Sequence, residues 1–282
     1  FSYPKFGPGQ LWETAASKIE DMGGKIVKNA KVVKFKTKKN EFKEVVYVKD
    51  GKECSLPADI VISSMPLKDL AAGIDGIPSK IKRIADGLPY RDFITVGLLL
   101  KKLNLKNQTK IKTLNNIIPD CWIYVQDTGV KLGRIQIFNY WSPYLVAKPE
   151  ETVWIGLEYF CRENDEYWNM SPAEWRAFGV KELLKMGVIS SEKDVLDSHL
   201  ERVKKAYPAY FDTYKNIDKL TEYLNSFKNL YCVGRNGQHR YNNMDHSMAT
   251  SFAAVRHILG EISDKKIIWQ VNTEKSYHET KK

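Results

Sequence analysis

The sequence predicts a mixed fold, α/β with α+β parts, in which a buried parallel layer is combined with a mostly antiparallel sheet and its helices. Three observations predict it. The run 59–63 carries Ile60, Val61 and Ile62 side by side, the continuous apolar pattern of a strand buried on both faces of a parallel sheet. From about Asp92 to Phe160, several apolar and aromatic segments follow one another at strand-like spacing, which suggests antiparallel pairing. Residues 230–248 join an apolar strand, Gly234, a dense polar stretch and a helix start, so the first turn of that helix aims free backbone N–H groups back at the loop. With 282 residues and 43% hydrophobic content, the chain is long enough for one large or two moderate domains.

In chain order, a first helix is expected over about 10–22, with Leu11, Ala15, Ile19 and Met22 on one face and Gly23-Gly24 ending it. Segments 25–36 and 41–48 read as strands of a hairpin-like unit, with turn chemistry at Asn40 and Asp50-Gly51. Pro66 stops the strand at 59–63. Strands are expected over about 92–100, 121–125, 135–140 and 152–160. Trp122, Tyr124, Phe138, Tyr140, Trp154, Tyr159 and Phe160 read mainly as packing of that sheet, since aromatic residues favour strands. Trp141 and Tyr144 flank Pro143 in a loop and are candidates for lining a substrate cavity. Ser171, Pro172 and Glu174 form a helix start with a capping box, and the helix should run to about Met186 before Gly187. Residues 195–207 fit a helix or a strand by pattern. A short helix over 216–227 leads to the strand 230–233, and the later helix carries a stripe of Met248, Phe252, Val255 and Leu259 before Gly260. The apolar Ile267-Ile268-Trp269 is expected to dock locally, with a charged tail that frays.

Composition narrows the function classes. The formal charge is +10, from 44 basic and 34 acidic residues, but Lys34, Lys36, Lys38 and Lys39 sit at a strand end and its turn, where a solvated face is the ordinary reading. No recognition helix or stacking motif accompanies them, so nucleic acid is not an expected partner and a small-molecule substrate is. Cys54, Cys121, Cys161 and Cys232 are far apart and form no C-x-x-C pair, which suggests reduced thiols and a cytoplasmic setting. His199, His239, His246, His257 and His278 show no metal-ligand spacing, and no metal is expected. No run of about 18 apolar residues occurs, so no transmembrane helix is expected.

The stretch Gly234-Arg235-Asn236-Gly237, His239-Arg240-Tyr241-Asn242-Asn243, Asp245-His246-Ser247-Met248 resembles the C-terminal FAD-contacting motif of the flavin amine oxidase and protoporphyrinogen oxidase superfamily. Shorter likenesses fall in the family's order. They are Tyr3-Pro4-Lys5 with Gly7-Pro8-Gly9-Gln10-Leu11-Trp12, Asn29-Ala30-Lys31-Val32-Val33-Lys34-Phe35, Ala58-Asp59-Ile60-Val61-Ile62-Ser63-Ser64-Met65-Pro66-Leu67, and Ala206-Tyr207-Pro208. The resemblance implies a partial FAD-binding dinucleotide fold over 1–72, interrupted by a substrate domain over 73–225, with a return to the FAD-binding domain over 226–282. It also selects a strand for 195–207. One departure matters. The family's strand and Gly-x-Gly-x-x-Gly turn, which cradle the FAD pyrophosphate, have no counterpart, since the nearest segment has Trp12 at the third glycine position. The chain is therefore expected to be the latter part of a longer flavoprotein, inactive and without stoichiometric FAD when isolated.

The same resemblance assigns roles. Val32 should offer backbone contacts to the adenine, although a core strand valine is the bland alternative. Gly234 should allow close backbone approach to the phosphates or ribityl chain, and Arg235 should pair with the pyrophosphate or stand as a solvated turn residue. Asn243, Met244, Asp245, His246, Ser247 and Met248 should run along the flavin and ribityl groups, with Asp245 also a candidate helix N-cap and His246 a structural residue or a proton shuttle. Tyr241 joins Trp141 and Tyr144 as a substrate-side candidate. The implied activity is hydride transfer from a C–N or C–C bond to FAD. The alternatives are a UDP-galactopyranose mutase-like flavoprotein acting on a nucleotide sugar, or a binding module without catalysis.

Overall fold

The computed structural model describes residues 2–163 and 165–271. Helix α1 (Gly9–Asp21) follows Pro8 and closes at Met22, whose N–H returns to Lys18 O. It is the expected first helix, yet Leu11, Ile19 and Met22 are exposed. Periodicity tells which residues share a face, not whether anything covers it.

Strands β1 (Ala30–Lys38), β2 (Glu41–Lys49) and β3 (Lys52–Pro57) form an antiparallel meander. Asn40 and Asp50 adopt the left-handed backbone that such turns need. The strand start expected at residue 25 comes later, after Asn29 at φ 55°. Lys34, Lys36, Lys38 and Lys39 are exposed, with Lys34 3.3 Å from Asp75 and Lys36 2.7 Å from Glu44. The register shifts between Val32 and Lys34, making Val33 a bulge that loosens the ladder at this point. Then come β4 (Val61–Ser63), α2 (Leu67–Gly73) and α3 (Ser79–Asp86).

Next are β5 (Tyr90–Leu100), β6 (Trp122–Tyr124), β7 (Arg134–Ile137), the single turn α4 (Phe138–Trp141), β8 (Val153–Cys161), the single turn α5 (Glu166–Asn169), α6 (Pro172–Lys185) and β9 (Val195–Pro208). Their sheet has the order β6-β7-β8-β5-β9, with the first three pairings antiparallel. One face buries Ile94, Val96, Leu98, Ile155 and Leu157 with Trp175, Val180 and Leu183 of α6. Trp122, Tyr124 and Phe160 are exposed rather than packed in a core, which corrects the sequence expectation for these three. The strand expected to reach Tyr140 ends at Ile137 because Asn139 takes over the pairing. Its side chain accepts the Trp154 N–H and donates to Pro149 O and Thr152 O. The capping box of α6 is present, with Glu174 N–H on Ser171 Oγ at 3.3 Å and Ser171 N–H on Glu174 Oε2 at 2.7 Å.

The chain finishes its described part with α7 (Ile217–Asn225), β10 (Leu230–Cys232), the single turn α8 (Gly234–Gly237), α9 (Met244–Ile258) and the short α10 (Ile267–Gln270). β10 pairs in parallel with β4, Tyr231 opposite Ile62. Asn229 ties this pair to the meander, accepting the Phe42 N–H and donating to Phe42 O and Asp59 O at 2.8 Å each. Only one face of β4 is covered. Val61 and Ser63 are buried, while Ile60 and Ile62, expected to be buried too, are each 47% exposed.

The chain divides into two compact units, Phe1–Ile26 with Asp92–Lys204 and Val27–Arg91 with Lys205–Lys282. The boundaries read from the sequence near 72 and 225 therefore differ from these. Residues 1–26 go with the large sheet, where Ser142 Oγ donates to Lys5 O at 2.7 Å and Tyr3 stacks on Trp141 at 5.2 Å. Ile268 is buried, as the docking of its segment requires; the charged tail beyond Val271, with His278, lies outside the described residues. Among the described residues the four cysteines are free thiols, no His, Cys, Asp and Glu group could hold a metal, and no helix is long and apolar enough to cross a membrane.

Candidate functional site

Because β4 and β10 run parallel, their C-terminal ends lie together, and it is outside such ends that open α/β layers hold ligands. Here the ends carry Ser63-Ser64 and Gly234. Gly234 has φ 74°, a left-handed conformation that explains glycine at this position. Its N–H donates to Thr250 Oγ1 at 2.9 Å, and that hydroxyl donates to Ser247 O at 2.8 Å. The glycine is thereby pinned to α9. The close backbone approach falls at Gly237 instead, where a Cβ would stand 2.6 Å from Ser63 O. The polar stretch is not an open loop but the turn α8, closed by Gln238 N–H on Gly234 O.

Arg235 braces this turn. Its Nε and Nη2 donate to Asn242 O at 3.0 and 2.7 Å, and Nη1 donates to Ala206 O at 3.3 Å. The guanidinium lies 5.1 Å from the Tyr207 ring and 5.0 Å from the Tyr241 ring, which stack on each other at 5.9 Å. Three of its five N–H donors thus go to backbone carbonyls, and the side chain is half-buried rather than a solvated turn residue. The segment 205–209 provides further anchors, with Asn236 Nδ2 on Lys205 O at 3.2 Å and His239 Nε2 3.0 Å from Ala209 O.

His239 is fully buried at φ 49°, with its ring edge-on to Tyr90 at 4.7 Å. Burial pushes its pKa down to about 4, against the opposing effect of the Ala209 carbonyl, so it stands neutral. Four buried polar atoms of this short stretch have no hydrogen-bond partner among the described residues: Asn236 Oδ1, Gln238 Oε1, His239 Nδ1 and Asn242 Nδ2. Left unmatched, such a group costs about 1–3 kcal/mol, so their concentration here fits a stretch that meets a polar ligand or ordered water.

Asn243, not Asp245, is the N-cap residue of α9, and no side chain caps the helix. Asp245 lies in the exposed first turn, 3.2 Å from His246 Nδ1, where its charge suits the positive end of the helix. The first N–H groups, from Met244 onward, have no partner within the helix. His246, Ser247 and Met248 are half-buried, and Ser247 Oγ donates to Asn242 Oδ1 at 3.0 Å.

Val32 lines a cavity of about 380 Å³ with Val45, Ile60, Ile62, Ser63 and Met65. Its lining is apolar with a serine edge, and the neighbouring Val33 bulge interrupts the ladder there. A larger cavity of about 570 Å³ beside α7 and α10 is lined by Asp218, Glu222, Arg240, Lys266 and Trp269, and Arg240 alone comes from the motif.

The substrate-side candidates fall in different units. Trp141 and Tyr144 belong to the large-sheet unit, Trp141 edge-on to Trp122 at 6.0 Å and Tyr144 beneath Lys5 Nζ at 4.2 Å. Nearby, Arg134 pairs with the buried Glu158, which also accepts from Gln136, and the guanidinium lies 5.0 Å from both Trp122 and Phe160. Burial raises the Glu158 pKa, opposed by Arg134. Tyr241 belongs to the other unit, with its N–H on the Tyr210 hydroxyl. Sequence reasoning assigned no role to Thr250, Asn242, Tyr207 or His239. His239 and Asn242 lie within the quoted motif and Tyr207 within the Ala206-Tyr207-Pro208 likeness, but their individual contacts depend on partners elsewhere in the chain.

No protein-family model matches the sequence, and no curated protein matches it. Solved structures do match the fold. A reduced UDP-galactopyranose mutase superposes with a TM-score of 0.77 at 20% identity, over 98% of this chain and 57% of that one. A protoporphyrinogen oxidase-like protein from Exiguobacterium sp. 255-15 gives 0.62 at 12% identity, over 89% and 51%. An oxidoreductase from Methanosarcina mazei gives 0.57 at 13% identity, over 90% and 55%. The chain spans little more than half the length of each. These likenesses show the fold, helices with mostly antiparallel sheets.

Proposed function

We propose that this chain forms part of an FAD-dependent oxidoreductase of the amine oxidase and protoporphyrinogen oxidase kind, acting on a small molecule in a reducing, cytoplasmic setting. The observation that carries the reading is the junction at the C-terminal ends of β4 and β10. There the uncapped start of α9, the pinned Gly234 and a group of unmatched buried polar atoms converge. Bound FAD would supply the hydride acceptor for a C–N or C–C bond.

The chain's own residues bind and orient. Val32 and its cavity take the adenine side. Gly234 sets the turn next to the phosphates and ribityl chain. The backbone N–H groups of Asn243, Met244, Asp245 and His246 at the start of α9 present donors that favour negative charge on a flavin edge, with Ser247, whose own N–H goes to Asn243 O, and Met248 next along the helix. Arg235 acts at one remove, holding Asn242 and the turn in place. Trp141, Tyr144 and Tyr241 remain the substrate-side candidates, and His246 is kept structural.

A second reading is a flavoprotein that rearranges a nucleotide sugar without net oxidation, favoured by the likeness to the UDP-galactopyranose mutase. One experiment separates the readings. The protein carrying this chain is purified, its visible flavin absorbance is recorded, and bleaching by primary amines is compared with ring interconversion of UDP-galactose. Bleaching supports the oxidase; interconversion by reduced protein supports the second reading. A folded, colourless protein that binds no added FAD contradicts both and leaves a binding module without catalysis.

A further inference from the structure

The connection between β5 and β6 carries charge of one sign. From Lys101 to Pro119 it holds Lys101, Lys102, Lys106, Lys110 and Lys112 and no acidic residue. All of these lysines are exposed. Among the described residues none of them pairs with a carboxylate, whereas Lys34 and Lys36 of β1 are matched by Asp75 and Glu44. Like charges gathered in one short segment repel each other, and a negatively charged surface relieves that repulsion.

The segment is nevertheless firmly built. Leu103 and Ile117 are buried in the core of the large sheet, and Lys106 and Ile117 form an antiparallel bridge that closes its neck. Asn107 N–H donates to Asn116 O at 2.9 Å, and Ile118 N–H to Leu105 O at 3.2 Å. Beyond the neck the Asn107 side chain organises the turn. Its Oδ1 accepts the Thr109 N–H at 2.8 Å and the Thr109 hydroxyl at 2.7 Å, while its Nδ2 donates to Ile111 O and to Thr113 Oγ1. Ile111 N–H donates to Thr109 Oγ1 at 3.1 Å. Lys110, Ile111 and Lys112 thus stand at the tip, with Ile111 63% exposed. Both hydrogen bonds of Ile111 use its backbone alone, so they do not call for an apolar side chain there. The acidic residues met by hydrogen bonding stand at the neck, where Asn115 Nδ2 donates to Glu150 O at 2.6 Å and Lys101 N–H to Asp194 O at 2.8 Å.

We infer that this loop is a contact site for an anionic lipid surface, with the lysines among the phosphate headgroups and Ile111 entering the apolar boundary beneath them. Charge alone would suit any polyanion, and the apolar residue between two lysines decides for the lipid. A nucleic acid is met by aromatic or guanidinium groups on which bases stack, and residues 101–119 hold no aromatic residue and no arginine. Lysine suits the lipid boundary, because its stem lies along apolar surface while the ammonium stays at headgroup level. Each lysine held at an anionic leaflet strengthens binding about fivefold, so a few of them with one inserted isoleucine give an attachment that is reversible and sensitive to salt. Such a contact needs no membrane-crossing helix, and it does not depend on the flavin reading.

The test is flotation of the protein that carries this chain with phosphatidylcholine vesicles, either pure or containing about 30% phosphatidylglycerol, at low and at physiological salt. Binding is expected only to the anionic vesicles and should weaken several-fold as salt is raised. Lys110→Gln with Lys112→Gln should lower the affinity about thirtyfold, and Ile111→Ser about fivefold, both at unchanged circular dichroism. Lys38→Gln with Lys39→Gln removes the same charge at the turn between β1 and β2, and should change the affinity less than about twofold. Equal losses from the two lysine pairs, equal binding to neutral vesicles, or an Ile111→Ser protein that binds as the parent does would overturn the proposal. So would the absence of vesicle binding, with or without binding to polyuridylate.

Discussion

The face of the large sheet that packs on α6 and the face of the β4 and β10 pair that meets α9 are covered to different extents. In the first, the sheet packs Ile94, Val96, Leu98, Ile155 and Leu157 against α6, and its buried Asn139 has three backbone partners. In the second, the parallel pair leaves Ile60 and Ile62 half-exposed, and residues 236–242 bury four polar atoms that have no hydrogen-bond partner among the described residues. A face that is closed on itself has its interactions inside the chain. A face that combines bare apolar groups with unmatched polar ones is shaped for something outside it. This difference is what supports placing the proposed cofactor site in the second unit.

The comparison can be broken at its strongest point first. Trp175 is fully buried beneath the large sheet, so Trp175→Ala should cost about 3–5 kcal/mol in urea unfolding followed by circular dichroism. A loss below about 1 kcal/mol would mean that the closed face is not closed.

His239 should come next. Its pKa is pushed down to about 4 from 6.5, so in the window between these values the unfolded chain binds the proton and the native chain does not. Its stabilising contribution is complete above the unfolded value and is lost as pH falls from about 6.5 to about 4, amounting to roughly 3 kcal/mol. His239→Asn, which suits the left-handed backbone, should flatten thermal stability across that range. Equal pH dependence in both proteins would remove His239 from the account.

Arg235→Ala should cost about 2 kcal/mol by leaving Ala206 O and Asn242 O without their charged donor. It should also weaken FAD binding, whereas Trp175→Ala should not. The smallest effect is expected at Phe252→Ser, within about 0.5 kcal/mol for the isolated chain, because the side chain touches little there. A large loss would show that the α9 stripe is already covered and would erase the contrast between the two faces.

Local chemistry made much of the fold readable. The capping box at Ser171 and Glu174 depends on residues three apart, and the turns at Asn40 and Asp50 depend on backbone tolerance, so both could be read from short windows. The stripe of Met248, Phe252, Val255 and Leu259 was readable as a face, but its exposure was not, since covering depends on what else is present. Asp245 looked like an N-cap by residue type, yet the chain enters the helix two residues earlier at Asn243. At the site, the motif brought out Gly234 and Arg235 but not their partners. Thr250 holds Gly234 from sixteen residues away, and Ala206 O receives Arg235 from twenty-nine, distances at which no sequence period operates.

The most direct test of the central claim is flavin content in the protein that carries this chain, purified folded from its own host. The account predicts a visible flavin spectrum, one FAD released per chain on denaturation, and a lower FAD content for Arg235→Ala at equal fold content. A folded protein with no flavin spectrum, no released FAD and no binding of added FAD would contradict it.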